Sequence, residues 1–367
     1  MVTGRQLLGL VLCLGLSALG LVWFFRQTDW GELASALSGA NYLYLIPALF
    51  LTLITYAIRA YRWQLLMNPI KRIRWLHLLS AITIGFMANC VLPARVGELV
   101  RASVIGLKEK VSAATALTTV IVERVFDLLA VGVFVAVVLV LTPEEVSLRP
   151  ELGLKDRSSG AEASATRDLP PSSASAPVSF SVRDLRKWGV GVGIVTAGAS
   201  FFLFLVKLFP SVALAVGQAP LRLLPRALSE RGSQILVGLV AGLQSLQSVG
   251  QIFYLAVLSV VHWAFGVFSN IALGWCFGLH LSFAQGSLIF VITALAVALP
   301  QGPGFVGVFD YAALVALQML TVETATAQSY AIVLHFVAVV PITLIGFGFL
   351  WWEGLSLRQV TAAQKQS

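Results

Sequence analysis

Long apolar runs recur along this chain, and several are long enough to cross the hydrocarbon core of a membrane. The first, at residues 7–25, reads LLGLVLCLGLSALGLVWFF, and comparable runs occupy 43–63, 112–141 and 327–352. A helix needs roughly 20 apolar residues to span a bilayer, whereas the apolar core of a signal peptide has roughly 7–15. We therefore predict a polytopic α-helical membrane protein whose first run is a retained membrane helix.

The composition agrees with this class and excludes others. Of the 367 residues, 58% are hydrophobic and only 11% are charged, against about 25% charged in ordinary soluble domains. The net charge of +8 comes from basic residues between apolar runs, which is the positive-inside pattern, so we expect anionic lipids rather than nucleic acid as partners. The 3 cysteines and 4 histidines lack CxxC or HExxH spacing, and no GxxxxGK[ST] loop occurs. The sequence predicts no metal site, no cofactor and no ATP hydrolysis.

The pattern predicts a single all-α transmembrane domain over residues 1–355, with about eight membrane segments. Residues 142–187, which include LPPSSASAP, predict an extramembrane, disordered loop. Residues 209–250 contain Arg222, Arg226 and Arg231 among prolines, which predicts a basic interfacial connector with one or two amphipathic pieces.

Loop charges predict the orientation in the membrane. Arg59, Arg62 and Trp63 end the second run, and Lys71 follows within a basic segment, so we predict a cytoplasmic loop here. This places both termini in the cytoplasm and the protein in the cytoplasmic (inner) membrane.

Residues 42–141 and 252–352 share one plan: a long apolar helix, a second helix ending in Leu-Pro, a short segment and a long final helix. The positions of the basic loops give the two halves opposite orientations, which is typical of the inverted repeats of secondary transporters. The alternative is an ancient duplication that serves only packing.

Prolines and glycines interrupt the two halves at matched places, in VLPARVGE (91–98) and ALPQGPGF (298–305). The predicted structural breaks are Pro93, Gly97, Pro300, Gly302 and Gly304. A break inside lipid is tolerated where protein or a wet cavity satisfies the backbone. The hairpins therefore either re-enter the membrane or end as proline-capped helices at the interface.

Arg95, Glu98 and Arg101 lie three residues apart, so on a helix they share one face. Guanidinium groups match phosphate geometry, which makes a phospholipid headgroup one candidate ligand. An internal ladder of salt bridges at the membrane surface is equally compatible with this spacing.

Glu123, Arg124 and Asp127 lie within an apolar helix and should face the bundle interior, because each central charge costs on the order of 2.5–3.5 kcal/mol. Either they hold a cationic headgroup or a proton, or they form a structural ion pair, with Arg95 or Arg101 as the expected cation. Asp310 follows the second break and joins the predicted substrate-binding residues. His335 lies near the position that Glu123 occupies in the first half; packing is its simplest role, a proton relay the alternative.

The runs NCVLPARVGELVRA, ERVFDLL and LPQGPGFVGVFD resemble the flippase-like transmembrane region of lysylphosphatidylglycerol synthases, over roughly residues 5–355. The resemblance implies movement of a lipid, or of an aminoacylated or glycosylated lipid, between leaflets. It also supports roles for Arg95, Gly97, Glu98, Glu123, Arg124 and Asp127. The sequence ends soon after Trp352, so we expect a stand-alone member without the aminoacyltransferase domain and without lysyl transfer.

The leading hypothesis is therefore a non-enzymatic lipid flippase that moves a phospholipid, a modified lipid or a lipid-linked precursor, with no catalytic residues. The alternatives are a membrane-embedded transferase and an accessory or scaffold protein of lipid, hopanoid or glycolipid synthesis. A scaffold would have a lipid-synthesis enzyme as its partner.

Overall fold

A computed structural model describes residues 4–92, 96–141, 209–221, 248–299 and 301–356 apart from position 27, together with scattered positions between 191 and 247 and position 359. The described residues form eleven α-helices and no β-strand, which confirms the all-α prediction. The 142–187 loop and most of the 209–250 connector, including its three arginines, lie outside the described residues.

The helices of the N-terminal part are α1 (Gly4–Phe25), α2 (Trp30–Ser38), α3 (Leu45–Met67), α4 (Trp75–Val91), α5 (Gly97–Glu109) and α6 (Ala113–Leu141). Those of the C-terminal part are α7 (Pro210–Leu221), α8 (Val249–Cys276), α9 (Phe283–Ala298), α10 (Val308–Gln318) and α11 (Thr324–Trp352). Short 3₁₀ turns occupy Tyr42–Tyr44 and Pro303–Phe305.

Four apolar helical stretches are long enough to cross a membrane: Tyr42–Met67, Thr115–Leu141, Val249–Cys276 and Thr324–Trp352. Four further apolar stretches are shorter: Cys13–Phe25, Trp75–Val91, Phe283–Ala298 and Pro303–Gln318. The shorter stretches include α4 and α9, the two helices that end at the Leu-Pro interruptions.

Helices α4 and α5 form an antiparallel hairpin around the first interruption. At its open end His77 Nδ1 lies 2.6 Å from Glu109 Oε1, and at its closed end the Gly97 N–H donates to Asn89 Oδ1 at 2.6 Å. A Cβ atom on Gly97 would lie 2.2 Å from the Gly85 carbonyl oxygen, so the two helices touch through their backbones. Asn89 thus satisfies a backbone N–H that the interruption leaves without a helical partner.

Helices α9 and α10 flank the second interruption, which packs against α1. The Gly302 N–H donates to Ser17 Oγ at 2.8 Å. Gly304 and Gly307 have φ angles of +70° and +89°, a region that residues with a Cβ atom rarely adopt. A Cβ atom on Gly20 would lie 2.5 Å from the Gly307 carbonyl carbon, so α1 fits closely over this turn.

The leading helices of the two halves, α3 and α8, pack against each other in opposite directions. The Asn41 N–H donates to the Cys276 carbonyl at 2.8 Å, Thr52 Oγ1 lies 2.8 Å from Ser269 Oγ, and Arg59 meets His262 farther along. The second helix of each half packs on the final helix of the other half: α4 packs on α11, and α9 packs on α6.

One end of the bundle is basic, and we call it the basic end: it carries Lys71, Arg72, Arg74, Lys108 and Lys110. There Glu353, which follows α11, forms an ion pair with Lys108 at 2.5 Å and accepts a hydrogen bond from Ser80. At the opposite end Gln328, near the start of α11, donates to the Phe24 carbonyl near the end of α1. Helix α1 therefore starts, and α11 finishes, at the basic end.

Candidate functional site

Ionisable side chains from four helices form one cluster inside the bundle. Its members are Arg59, Arg62, Arg101, Glu123, Arg124, Asp127 and His262. All are buried except Arg124, whose side chain is 42% exposed. Charges at this depth are expensive to bury alone, so their mutual contacts decide whether the arrangement is stable.

Glu123 is completely buried in α6 and faces three guanidinium groups. Its Oε2 lies 3.0 Å from Arg101 Nη2, and its Oε1 lies 3.3 Å from Arg124 Nη2 and 3.6 Å from Arg59 Nη1. Of the two candidate cations, Arg95 and Arg101, the structure places Arg101 in contact with this acidic segment. Helix α5, which starts at the first interruption, therefore supplies a direct ionic contact to the long helix α6.

Asp127 lies one turn farther along α6 and also faces three arginines. Its Oδ1 lies 2.9 Å from Arg62 Nη1, and its Oδ2 lies 3.3 Å from Arg124 Nη1 and 3.6 Å from Arg59 Nη2. The four-residue spacing thus places Glu123 and Asp127 on one inward face, as predicted. Both carboxylates are already surrounded by arginine.

Arg59 and Arg62 were wrongly assigned to a cytoplasmic loop. Both lie within α3, which continues to Met67, and they are only 8% and 1% exposed. They are buried because the carboxylates of α6 compensate their charge. A signal did exist in the sequence: two acidic residues within an apolar helix require more cations than the single arginine beside them.

His262 and two aromatic side chains next to the cluster hold the arginines in place. His262 Nδ1 donates to the Thr55 carbonyl at 3.0 Å, which directs its Nε2 to Arg59 Nη2 at 3.2 Å. The guanidinium of Arg59 stacks over Phe86 at 5.1 Å, and that of Arg101 stacks over Trp63 at 5.0 Å. Such cation–π contacts favour the charged guanidinium groups in an otherwise apolar surrounding.

The cluster has an excess of positive charge. Four arginines face the two carboxylates of Glu123 and Asp127, which leaves two positive charges, and Glu98 nearby reduces the excess to one. Beyond the ion pairs described above, the buried donors Nε of Arg59 and Nε and Nη1 of Arg101 have neither a hydrogen-bond partner nor an ion-pair contact. Unpaired buried donors on a net cation are chemically suited to an anion.

A small cleft of about 190 Å³ connects this cluster with the first interruption. Its lining residues are Ile82, Gly85, Phe86, Asn89, Gly97, Glu98, Arg101 and Arg124. The free space between these side chains is too small for a lipid headgroup.

The predicted residues of the first half fall into two groups. Arg101, Glu123, Arg124 and Asp127 belong to the cluster, and Glu98 lines the cleft beside it. Arg95, together with Pro93 and Pro300, lies outside the described residues. Substrate binding by any of these residues stays a prediction.

Asp310 occupies a separate position in the second half. It is 7% exposed, its Oδ1 lies 2.7 Å from His335 Nδ1, and its Oδ2 accepts a hydrogen bond from the Gly307 N–H at 2.8 Å. Its only ion pair within the described ranges is with His335. Sequence reasoning singled out both residues but did not pair them.

The two interruptions lie beside each other. The 3₁₀ turn at Pro303–Phe305 packs on α4, and a Cβ atom on Gly304 would lie 3.7 Å from the Cys90 carbonyl oxygen. Among the residues that the structure describes, no group of three or more His, Cys, Asp or Glu side chains could hold a metal ion. The site is thus an arginine-rich cluster beside paired helix interruptions.

Comparison with known proteins assigns the family. The sequence profile of the lysylphosphatidylglycerol synthase TM region matches residues 6–163 and 173–346, which is most of the chain. The chain belongs to this family. As a member of the lysylphosphatidylglycerol synthase TM-region family with several apolar membrane-length helices, it is a multi-pass integral membrane protein.

One curated relative extends the comparison. The chain is similar to "Glycosyltransferase AglD" of Haloferax volcanii, with 26% identity over 349 residues. These residues are 90% of this chain and 52% of that protein, so the chain spans about half the length of this relative.

Proposed function

We propose that the protein translocates an anionic lipid, either a phospholipid or a lipid-linked precursor, between membrane leaflets. The observation that carries the proposal is the buried arginine cluster, which has surplus positive charge beside an interrupted helix. A permanently buried structural cluster would gain most from equal numbers of opposite charges. A surplus of cations with unpaired donors is better explained by a ligand that brings negative charge.

An inverted repeat of residues 42–141 and 252–352 would provide the moving parts. Each half contains a long helix, a shorter helix ending in Leu-Pro, a short helix and a long final helix. The antiparallel packing of α3 and α8, and the reciprocal packing of α4 on α11 and α9 on α6, support a two-fold axis in the membrane plane. Transporters with such repeats bind substrate at the repeat interface near the bilayer midplane.

The two hairpins would enter the membrane from opposite sides and turn back. Helix α4 has 17 residues and α5 has 13, or about 26 Å and about 20 Å at 1.5 Å per residue. Neither reaches the roughly 30 Å of a hydrocarbon core, and the contact of His77 with Glu109 keeps both ends at one surface. These features support re-entry and a count of about eight membrane segments.

The arginines would hold the negatively charged headgroup. Arg101 and Arg124 line the cleft, and a planar guanidinium donates two parallel hydrogen bonds to a phosphate. Glu123 and Asp127 would position the arginines through the contacts described above. Because these carboxylates already contact arginines, they are less suited to a cationic headgroup.

We place both termini in the cytoplasm and the protein in the cytoplasmic (inner) membrane. Helix α1 starts and α11 finishes at the basic end, and the positive-inside rule assigns such an end to the cytoplasm. One transmembrane domain over residues 1–355 would then carry the 142–187 loop outside the membrane and the 209–250 connector at its surface.

A lipid-exchange assay tests the proposal. The protein is reconstituted into liposomes that contain a fluorescent phosphatidylglycerol, and a membrane-impermeant reductant quenches the label in the outer leaflet. We expect faster loss of the inner-leaflet signal than in empty liposomes, and a strong reduction in Arg101→Gln. Arg72→Gln, at an exposed position of the basic end, is the matched control.

Two results would contradict the proposal. One is exchange no faster than in empty liposomes for a panel of anionic lipids that also includes a polyprenyl phosphate. The other is wild-type exchange by both Arg101→Gln and Arg124→Gln, which would remove the cluster from the mechanism.

The name of the relative favours a second candidate, a role in glycosyl transfer to a lipid. In this role the protein would be an accessory of a membrane transferase, which agrees with our expectation of no enzymatic activity, or else a membrane-embedded transferase itself. The purified protein is incubated with a nucleotide sugar and a polyprenyl phosphate, and lipid products are identified by mass spectrometry. A glycosylated lipid would favour the transferase. A co-purifying transferase without lipid exchange by the isolated chain would favour the accessory.

A further inference from the structure

In each half of the protein, a polar pair among the described residues joins the short helix to the long final helix. In the first half Arg101 of α5 contacts Glu123 of α6 at 3.0 Å. In the second half Asp310 of α10 contacts His335 of α11 at 2.7 Å. The two pairs hold equivalent positions in the order of helices, but they differ in chemistry.

The two pairs differ in the kind of cationic side chain that they contain. A guanidinium stays protonated in proteins, so the pair of Arg101 and Glu123 keeps its cation. Histidine gains and loses a proton between about pH 5 and about pH 8. With neutral His335 the Nδ1–H donates to ionised Asp310, and Nε2 remains as the basic atom.

The helices that surround this pair supply no counter-charge among their described side chains. Helix α10 packs mainly on α1, α9 and α11, and the sequence of α9 contains no titratable residue. Apart from the pair itself, the titratable residues with described side chains in α1, α10, α11 and the adjoining end of α4 are Cys13, Cys90, Tyr311 and Tyr330, with Arg26 following α1 and Glu353 following α11.

None of these groups compensates the pair. Tyr330 donates to the Asn270 carbonyl, Tyr311 packs on Trp23, and Arg26 is exposed. Glu353 contacts Lys108 at the basic end. Ionised Asp310 beside neutral His335 therefore leaves one buried negative charge, and a proton on His335 Nε2 brings the pair to zero.

The pair is also connected to the second interruption. Asp310 Oδ2 accepts from the Gly307 N–H at 2.8 Å, and Gly307 has a φ of +89°. Gly307 lies directly against α1, since a Cβ atom on it would come 2.1 Å from the Ser17 carbonyl oxygen. A change in the charge of Asp310 and His335 thus acts on the hydrogen bond that holds this turn.

We propose that Asp310 and His335 form a proton-binding site that couples a proton gradient to lipid movement. The inference rests on the proposed function and names its energy source. One proton from water binds His335 Nε2, and the imidazolium then pairs with the Asp310 carboxylate. The His335 side chain is 16% exposed, which gives the proton access to the pair.

The first experiment measures lipid distribution under a pH gradient. Liposomes containing the protein and fluorescent phosphatidylglycerol receive a gradient of one pH unit, with potassium and valinomycin to clamp the membrane potential. One coupled proton biases the leaflet ratio by up to about tenfold per pH unit. We expect this bias in the wild type and in His280→Gln, whose histidine is exposed between α8 and α9, and its loss in His335→Gln and Asp310→Asn.

A gradient-independent leaflet ratio in the wild type, with exchange still faster than in empty liposomes, would overturn the proton site and leave the proposed translocation intact. Persistence of the bias in His335→Gln would overturn it as well.

The second experiment does not depend on transport. Amide hydrogen exchange of residues 301–311 is measured in nanodiscs at about pH 5 and about pH 8, with correction for the intrinsic exchange rate. We expect pH-dependent protection in the wild type that disappears in His335→Gln but not in His280→Gln. Equal protection at both pH values in the wild type would overturn the proton site. A pH-dependent change without any lipid exchange would support proton binding and refute translocation.

Discussion

Asp127→Asn should destabilise the protein strongly, because Asp127 neutralises Arg62, whose side chain is buried away from water. Arg62 is 1% exposed and lies 2.9 Å from Asp127 Oδ1, and Arg59 and Arg124 lie within 3.6 Å and 3.3 Å of Oδ2. Breaking a buried ion pair by removing one partner typically costs about 3–5 kcal/mol. Arg59 and Arg124 also contact Glu123, so Arg62 is the arginine that mainly loses its carboxylate partner. We therefore expect the free energy of unfolding to fall by about 3 kcal/mol, at the lower end of this range.

A double-mutant cycle measures this effect. Unfolding by SDS is followed for the wild type, Asp127→Asn, Arg62→Leu and the double variant in mixed micelles. We expect the double variant to be more stable than Asp127→Asn, because no buried cation then lacks its partner, with a coupling energy of about 1–3 kcal/mol. A loss below about 1 kcal/mol in Asp127→Asn, or additive effects in the cycle, would refute the reasoning and imply that water reaches Arg62.

Three further predictions concern the hairpins. Gly97→Ala should separate α4 from α5 and reduce stability by about 1–3 kcal/mol in SDS unfolding, whereas Gly348→Ala, with open space around it, should be neutral. Ser17→Ala removes the acceptor of the Gly302 N–H and should cost about 1–3 kcal/mol; full wild-type stability would contradict the contact. The hydrogen bond from Lys71 lowers the pKa of Glu109, so this contact stabilises the fold above about pH 4.3 and is lost as pH falls through the lowered pKa. After correction for the intrinsic rate, amide exchange near Glu109 should rise on acidification, and Lys71→Ala should weaken this dependence while the His77 contact remains.

The sequence could predict features that follow from local pattern. The apolar runs predicted the helices, and the four-residue spacing of Glu123 and Asp127 predicted one inward face, because both arguments depend only on helical periodicity. The Leu-Pro motifs likewise marked the ends of α4 and α9. Helix α2 was not predicted, although Asp29 caps it by accepting from the N–H groups of Gly31 and Glu32.

Partners distant in the chain could not be predicted in the same way. Arg59 and Arg62 lie near an apolar run with aromatic neighbours, and this pattern is the same for an interfacial loop and for a buried helix end. His262 contacts Arg59 across 203 positions of sequence, which no local pattern can indicate. The pairing of Asp310 with His335 depends on how α10 returns to α11, and this follows from packing at the second interruption.

The two turns are anchored by different parts of the chain. The first turn closes on its own hairpin through Asn89 and Gly97, whereas the second is tied to α1 through Ser17 and Gly302. In the proposed translocation, movement of the second hairpin would therefore either carry α1 with it or break the hydrogen bond to Ser17. The equivalent movement of the first hairpin would leave this hydrogen bond intact, so the two hairpins would differ in the energy that their movement requires.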